Sequence, residues 1–433
     1  MKQTIRKYTP KPLISFYHRI LALLANFIYG HPSQKMTVVG VTGTTGKSTT
    51  VNLIASVLEE AGHKVGLTST FNYKIADQEW LNDTKMTMPG RFRLQKILKT
   101  MQQSGCSHVV IETSSEGIAQ YRHLGIDYDV AVFTNLSPEH IESHGSYTNY
   151  KLAKGKLFKS LMKNKQKTKK VSVVNLDDKE ADYFLQFWAD DKWGYTLNPD
   201  DQPSRNINVL GAKRISLEAD GSRFVVDDLK YNIDLVGLFN VYNALAAICV
   251  GYGLGLDKTI IAKGLAKVTS VPGRLEEIEE GQNFKVIVDY AHEPYSLKSV
   301  YEALKPTVTG RMIVVLGSCG GGRDKARRSV LGKLAARSAD IVIVTNEDPY
   351  DEDPQVIIDQ VAAGATEEGK QLDHNLLKFL DRRTAIKKAL SLAEANDLVI
   401  ISGKGAEQCI MGPNNTKTAW DDREVVRSEL KKL

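Results

Sequence analysis

Short apolar runs alternate with longer stretches of helical spacing along most of this chain. Val38, Val39 and Val41 suit a buried strand, and Ser48–Leu58 just beyond them has the period of a helix. Val109–Ile111, Val130–Phe133 and Val171–Val174 read as further short strands, continuously apolar as parallel sheets require. Between residues 207 and 236 the character changes. Ile215–Leu217, Phe224–Val226 and Ile233–Leu235 are short alternating segments that predict an antiparallel flap, and a helix is expected over Val241–Tyr252. Val271-Pro272-Gly273 reads as a domain boundary. Past it, strands at Lys285–Val288, Met312–Leu316, Ile341–Val344 and Leu398–Ile401 alternate with helices such as Ser296–Leu304 and Arg327–Arg337. The pattern predicts two doubly wound α/β domains in series, with an active site in the crevice between them.

Composition narrows the class. A chain of 433 residues exceeds one ordinary core, and 42% hydrophobic with 25% charged residues is a globular balance. The net charge of +6 sits in residues 1–35, which carry Lys2, Arg6, Lys7, Lys11, Arg19 and Lys35 and no acid. The remainder is balanced, so there is no electrostatic case for nucleic acid. The run Lys163–Lys170 reads as a solvated loop. Cys106, Cys249, Cys319 and Cys409 fit neither a zinc spacing nor a disulfide framework, which points to a reducing cytoplasm. Pro12–Tyr29 predicts an amphipathic helix, and its apolar part, Ile20–Tyr29, falls short of the roughly 20 residues needed to cross a bilayer. It lacks a signal-peptide cleavage site. Packing against the protein body is its first expected use, and weak peripheral contact with anionic lipid the second.

The densest chemistry lies in Thr37–Thr50, TVVGVTGTTGKSTT, an apolar strand running into a glycine-punctuated turn. Gly40, Gly43 and Gly46 let backbone wrap closely around phosphate, and the helix that follows presents unpaired N–H groups to an anion. Lys47 would reach the terminal phosphates of a nucleotide and Ser48 would offer its hydroxyl to Mg²⁺. Val41 stands where a strict phosphate-loop pattern has glycine. Glu112 ends the next buried strand, where a Mg²⁺ ligand belongs, with helix capping as the structural alternative. Glu139 and His140 follow a third strand, and His140 is a candidate ligand for a second metal. Lys154 and Lys156, on a predicted helix Tyr150–Phe158, read by spacing alone as a solvated face. Asp289 closes a strand in VDYAH, where a carboxylate can accept ribose hydroxyls. Gly317–Arg328, GSCGGGRDKARR, is a cation-crowded glycine turn suited to a carboxylate or phosphate, and Gly403–Glu407, GKGAE, repeats the strand-then-glycine design.

Together these stretches resemble the Mur ligase family, and most closely the MurE type. TGTTGKSTT stands where the family has TGTNGKTT, and ETSSEGIAQYR resembles ETSSHGxxQxR. FTNLSPEHIESHGSYTNYKLAKGKLF follows FTNLSxDHxxxHGxxxxYxxAKxxLF. LVGLFNVYNALAA, VPGRLE, VDYAHEP, GGGRDKARR and GKGAE arrive in the family's order, so the resemblance runs from about Thr37 to the end. It implies a central P-loop domain over 37–271, a Rossmann-like C-terminal domain over 272–433, and a basic, partly helical extension over 1–36. It implies ATP-dependent amide formation through an acyl phosphate, with a muramyl peptide and an amino acid as partners. Gly43, Thr44, Thr45, Gly46, Lys47, Ser48 and Thr49 would hold ATP and Mg²⁺ with Glu112. His140 and a carbamylated Lys154 would hold the second metal. Asn243 would meet adenine, Asp289 the ribose, and Arg274 the γ-phosphate. Ser114, Gln120 and Arg122 would hold the muramyl peptide, and Arg323, Glu347, Asp348, Tyr350, Gly403 and Glu407 the amino acid. A monomer is expected.

The departures have consequences. Glu116 replaces the histidine of SSHG, Thr45 the asparagine of the phosphate loop, and Ala406 the histidine of GKGHE. Glu347-Asp348-Pro349-Tyr350 stands where diaminopimelate-adding enzymes have DNPR, so a bidentate arginine is a tyrosine here. Only 36 residues precede Thr37, too few for the UDP-binding domain that MurE-type enzymes carry there. Either the basic N-terminal helix holds UDP loosely, or the acceptor carries no UDP. Two alternatives stand beside the MurE reading. One is a related ligase on a pseudomurein or folylpolyglutamate-like acceptor; the MurE-like ETSSEGIAQYR argues against folate. The other is a non-catalytic nucleotide-binding subunit, against which Lys47, Glu112, His140 and Lys154 argue.

Overall fold

The computed structural model describes residues 11–138, 144–201 and 206–433. Two compact units divide the chain. The first runs to Ser216 and takes in Arg223–Ile233 and Phe239–Val268; the second comprises Leu217–Ser222, Asp234–Leu238 and Thr269–Leu433.

In the first unit the sheet comprises β1 (Thr37–Thr42), β2 (Val65–Thr68), β3 (Asn72–Ile75), β4 (Gln78–Leu81), β5 (His108–Glu112), β6 (Val130–Phe133), β7 (Val171–Asn175), β8 (Asp191–Thr196) and β9 (Asn208–Gly211). Their order is β4-β3-β2-β5-β1-β6-β7-β8-β9. All neighbours from β2 to β9 are parallel, and β3 and β4 form an antiparallel edge. The central strand β1 has Val38, Val39 and Val41 fully buried, because helices cover both faces. One core layer joins Leu94, Leu98 and Met101 of the Arg91–Gln103 helix to Tyr150, Leu157 and Phe158 of the Tyr147–Ser160 helix. A three-stranded sheet follows, with β10 (Lys213–Glu218), β11 (Gly221–Val226) and β12 (Leu229–Ile233). Its last strand ends at Ile233, where the sequence pattern had placed a start. Asp227 and Asp228, both at positive φ, make the tight turn that sets this register.

The second unit is built on β13 (Glu276–Glu277), β14 (Lys285–Asp289), β15 (Met312–Leu316), β16 (Ile341–Thr345), β17 (Leu376–Phe379) and β18 (Leu398–Ser402). Their order is β13-β14-β18-β15-β16-β17, parallel except for the edge strand β13. Val314, Val342 and Ile400 enter one core layer, while Ile313, Ile343 and Ile401 enter the other. Alternation along each strand therefore feeds two buried faces, which is why these runs are apolar throughout.

One sequence expectation about charge is corrected. The Lys163–Lys170 run is not wholly solvated: Lys170 is fully buried, and its Nζ donates to Asp129 Oδ1 at 2.6 Å. Lys167 reaches Asp129 Oδ2 at 2.5 Å, and Thr168 Oγ1 and the Val38 amide complete the shell of that buried carboxylate. A single acid distant in sequence pulled in cations that spacing alone left in water. The N-terminal helix, Lys11–Ile28, buries Ala22 and Ala25, half-buries Ile14 and Leu21, and leaves Leu13, Phe16, Tyr17, Ile20, Leu24 and Phe27 exposed. None of the four cysteines forms a disulfide, and all are buried. No helix among the described residues is long and apolar enough to cross a membrane.

Removing Asp129 leaves Lys170 as an unpaired buried charge, so Asp129→Ala is expected to cost about 3–5 kcal/mol in chemical denaturation. An acid limb follows from two imidazoles. Burial holds His123 down to about 3 and His108 to about 4, against 6.5 unperturbed. Below about pH 6.5 the unfolded chain binds protons that the folded chain refuses, so stability is full above that pH and declines as pH falls. The melting temperature is expected to drop from pH 7 to pH 5, and His123→Gln to flatten that slope.

Candidate active site

The parallel register of β1 with β5 pairs Val41 with Glu112, so the carboxylate leaves its strand beside the loop Gly43–Gly46. That loop ends at Gly46, which caps the Lys47–Glu60 helix at φ 78°. Glycine is required there twice over, by the left-handed backbone and because a Cβ would collide with Asn243 Oδ1. Lys47 Nζ donates to the Thr44 carbonyl at 2.7 Å and lies 4.0 Å from Glu112 Oε1. Ser48 Oγ donates to Glu112 Oε2 at 2.8 Å. Thr70 adds its backbone amide at 2.8 Å and its hydroxyl at 3.0 Å to the same carboxylate. Thr49 is buried in the first helical turn. A buried carboxylate beside a hydroxyl is a hard-oxygen donor set that fits Mg²⁺, which completes its shell with water and phosphate. Among the described residues no cluster of three or more His, Cys, Asp or Glu offers an alternative metal cage.

On the loop's other flank the Thr45 amide and hydroxyl donate to Asn135 Oδ1 at 2.9 and 3.1 Å, and Thr134 Oγ1 donates to the Thr45 carbonyl at 2.7 Å. Thr44 Oγ1 meets Tyr150 OH at 3.1 Å. Lys154, read by spacing as solvated, is buried. Its Nζ donates to the Gly43 carbonyl at 2.5 Å and lies 4.4 Å from the centre of the Tyr150 ring. Glu139 and His140 lie outside the described residues. Nearby, His144 Nε2 sits 3.1 Å from Ser115 Oγ, and burial together with the Lys154 cation holds its imidazole below the ordinary range. Asn243 is buried under the loop, its Oδ1 accepting from Thr50 Oγ1 at 3.3 Å and its Nδ2 donating to Asn240 at 3.0 Å. Ser114 caps a short helix by accepting from the Gly117 amide, and Arg122 donates to Gln120 Oε1 at 2.7 Å and to the Met88 carbonyl. Glu116, in the family's histidine position, is exposed.

In the second unit Asp289 is buried, accepting from the Leu275 and Ala291 amides at 2.8 and 2.6 Å. Burial pushes its carboxyl up, opposed by Arg274, whose guanidinium stacks 4.9 Å from the Tyr290 ring centre. The amino-acid candidates gather at three strand ends. Lys404, which sequence reasoning passed over inside GKGAE, is the cation that organises them. Its buried Nζ donates to Asp348 Oδ1 at 2.9 Å and Glu407 Oε2 at 2.5 Å. Glu347 is buried, accepts from Cys319 Sγ at 2.8 Å, and is pushed up by that burial. Its Oε2 lies 2.6 Å from where a Cβ on Gly403 would stand, so glycine keeps that oxygen clear. Arg327, half of whose guanidinium pairs with Glu293, is also buried here, with Arg323 nearer the surface. Tyr350 adopts φ 53°, and its phenol is pushed up to about 12, first by burial and then by Asp348.

Wrapped backbone, a helix-opening lysine and a strand-end acid are what bind and polarise the phosphates of a nucleoside triphosphate. Fold and site together define an NTP-dependent α/β enzyme. Residues 41–251 match the family described as Mur ligase middle domain, and residues 273–405 that described as Mur ligase, glutamate ligase domain. A UDP-N-acetylmuramyl-tripeptide synthetase of Roseiflexus sp. (strain RS-1) is 37% identical over 95% of this chain and 82% of its own. A UDP-N-acetylmuramoyl-L-alanyl-D-glutamate–2,6-diaminopimelate ligase of Geobacillus kaustophilus (strain HTA426) is 37% identical over 98% of this chain and 84% of its own. A solved structure of the latter type of ligase aligns with TM-score 0.61 at 30% identity, over 92% of this chain and 78% of that one. The chain belongs to the Mur ligase family. It is an ATP-dependent amide ligase of peptidoglycan synthesis, which removes the non-catalytic subunit reading.

Gly46→Ala places a methyl against Asn243 in a backbone that disfavours it, so a stability loss of about 1–3 kcal/mol is expected. Calorimetric titration is expected to show ATP affinity at least about tenfold weaker, since the loop amides no longer converge.

Proposed function

We propose that this ligase adds the third residue of the peptidoglycan stem peptide, joining an amino acid to UDP-MurNAc-L-Ala-D-Glu. The Ser48–Glu112 contact of 2.8 Å beside Lys47 supports the ATP chemistry. The choice of step leans on the two relatives' printed activities. In this reading residues 37–271 bind ATP, residues 272–433 bind the amino acid, and residues 1–36 form an extension. The enzyme works in the cytoplasm as a monomer.

Lys47 moves its ammonium from the Thr44 carbonyl to the β- and γ-phosphate oxygens, and Asn243 is assigned to adenine. The acceptor carboxylate attacks the γ-phosphorus, ADP leaves, and the amine displaces phosphate from the acyl phosphate. Ser48 and Glu112 would hold Mg²⁺, which neutralises charge on the transferring phosphoryl group. His140 and carbamylated Lys154 would hold a second ion; a carbamate turns a buried cation into an anionic oxygen ligand. Arg274 and Asp289 are assigned to the γ-phosphate and ribose, and Ser114, Gln120 and Arg122 to the muramyl peptide. Arg323, Glu347, Asp348, Tyr350, Gly403 and Glu407 are assigned to the amino acid, with Lys404 as their anchor.

The test is amine-dependent phosphate release from ATP with UDP-MurNAc-L-Ala-D-Glu and a panel of amino acids including diaminopimelate and lysine. Turnover with one amine is expected. Release with none, from protein that still binds ATP, overturns the UDP-linked acceptor. Lys154→Ala is expected to lower kcat by at least about 100-fold, with partial rescue by a small carboxylate. Unchanged turnover removes the carbamate. Tyr350→Arg is expected to improve diaminopimelate use, and an unaltered amine preference takes Tyr350 out of selectivity.

A further inference from the structure

The Lys11–Ile28 helix turns most of its large apolar residues to water, with only Ile14 and Leu21 half-buried beside its alanines. A soluble amphipathic helix lays its large apolar residues on the core and shows small and polar ones to water. Here Ala22 and Ala25 are the fully buried positions. Polar groups finish the seat: Ser15 Oγ donates to Tyr121 OH at 2.7 Å, and Asn26 meets His31 Nδ1 at 2.7 Å. Small side chains allow close approach to the protein body and leave the broad apolar side unused. Leu13, Phe16, Tyr17, Ile20, Leu24 and Phe27 follow one another at helical spacing along that side, and Phe16 and Phe27 are 63% and 71% exposed. Isolated exposed hydrophobic residues need no explanation, but a continuous stripe with aromatic residues at both ends marks a binding surface.

We propose that this stripe docks the enzyme on an anionic lipid surface, with the helix lying in the plane of the headgroups. Charge selects the occupant. The first 35 residues contain six lysines and arginines and no acid. A second copy of the chain would set one cationic segment against another, so self-association through this face is opposed. An anionic bilayer offers what the segment lacks on both counts, apolar depth for the stripe and negative headgroups for the flanking cations. Each lysine or arginine near such a surface strengthens attachment about fivefold. With no described helix long and apolar enough to cross a membrane, the contact is peripheral. Exposed Arg19 and Lys35 stand on the same segment, so the charge arrives with the apolar face.

The test is sedimentation of the full chain with sucrose-loaded vesicles, either phosphatidylcholine alone or mixed with phosphatidylglycerol. Binding to the anionic vesicles is expected to be at least about tenfold tighter than to the neutral ones and to weaken as salt is raised. The double variant Phe16→Glu/Phe27→Glu is expected to stay in the supernatant, with ATP affinity and melting temperature unchanged because both side chains face out. Arg19→Gln/Lys35→Gln is expected to bind several-fold more weakly. The proposal is overturned if the chain fails to pellet with anionic vesicles at low salt, or if the Phe16→Glu/Phe27→Glu variant pellets as well as the parent. Light scattering that shows a dimer, reduced to a monomer by the same variant, overturns it in favour of a second copy as the occupant.

Discussion

The site depends on one buried carboxylate being held where phosphate chemistry needs it. Glu112 is 1% exposed, and an ionised acid at that depth is costly unless its oxygens are satisfied. Ser48 and the nearby Lys47, from the start of one helix, and Thr70, from the turn after β2, satisfy them. The arrangement exists because β1 and β5 are adjacent and parallel, with Val41 opposite Glu112. A slip of one residue would turn the carboxylate to the other face of the sheet and separate it from Ser48.

The second unit uses the same device with the signs exchanged. Lys404 is the buried charge, and Asp348 and Glu407 surround it from two strand ends. The acids of this cluster are therefore partly committed to holding it together. Glu347 stands apart from that pairing, with one oxygen on Cys319 and the other facing the clearance left by Gly403. Tyr350, held in a left-handed backbone conformation, cannot grip a carboxylate in bidentate fashion as an arginine can.

Legibility in the sequence followed the range of the interactions. Apolar strands and glycine turns are encoded locally, and Val130–Phe133, Met312–Leu316 and the helix after Gly46 stand where periodicity put them. The strands β2 to β4 were not legible, because each is four residues long and too mixed to show a period. Thr70, Thr134 and Asn135 were missed as loop partners: hydroxyls and amides carry no positional signal until the sheet brings them together. Lys404 sat inside a motif already singled out, and its signal was a lysine between two glycines at a strand end. Lys154 became visible only through the family resemblance.

The sequence alone determined the α/β alternation, the phosphate-binding turn and the acid that ends β5, since each is written in residues a few positions apart. Tertiary structure decided which charges are buried. Lys154, Lys170 and Lys404 look alike in sequence to solvated lysines, and each is held inside by a carbonyl or carboxylate supplied from elsewhere in the chain. It also decided which side of the first helix faces water. Periodicity identifies an apolar face, but only the fit of Ala22 and Ala25 against their neighbours sets which face is turned inward.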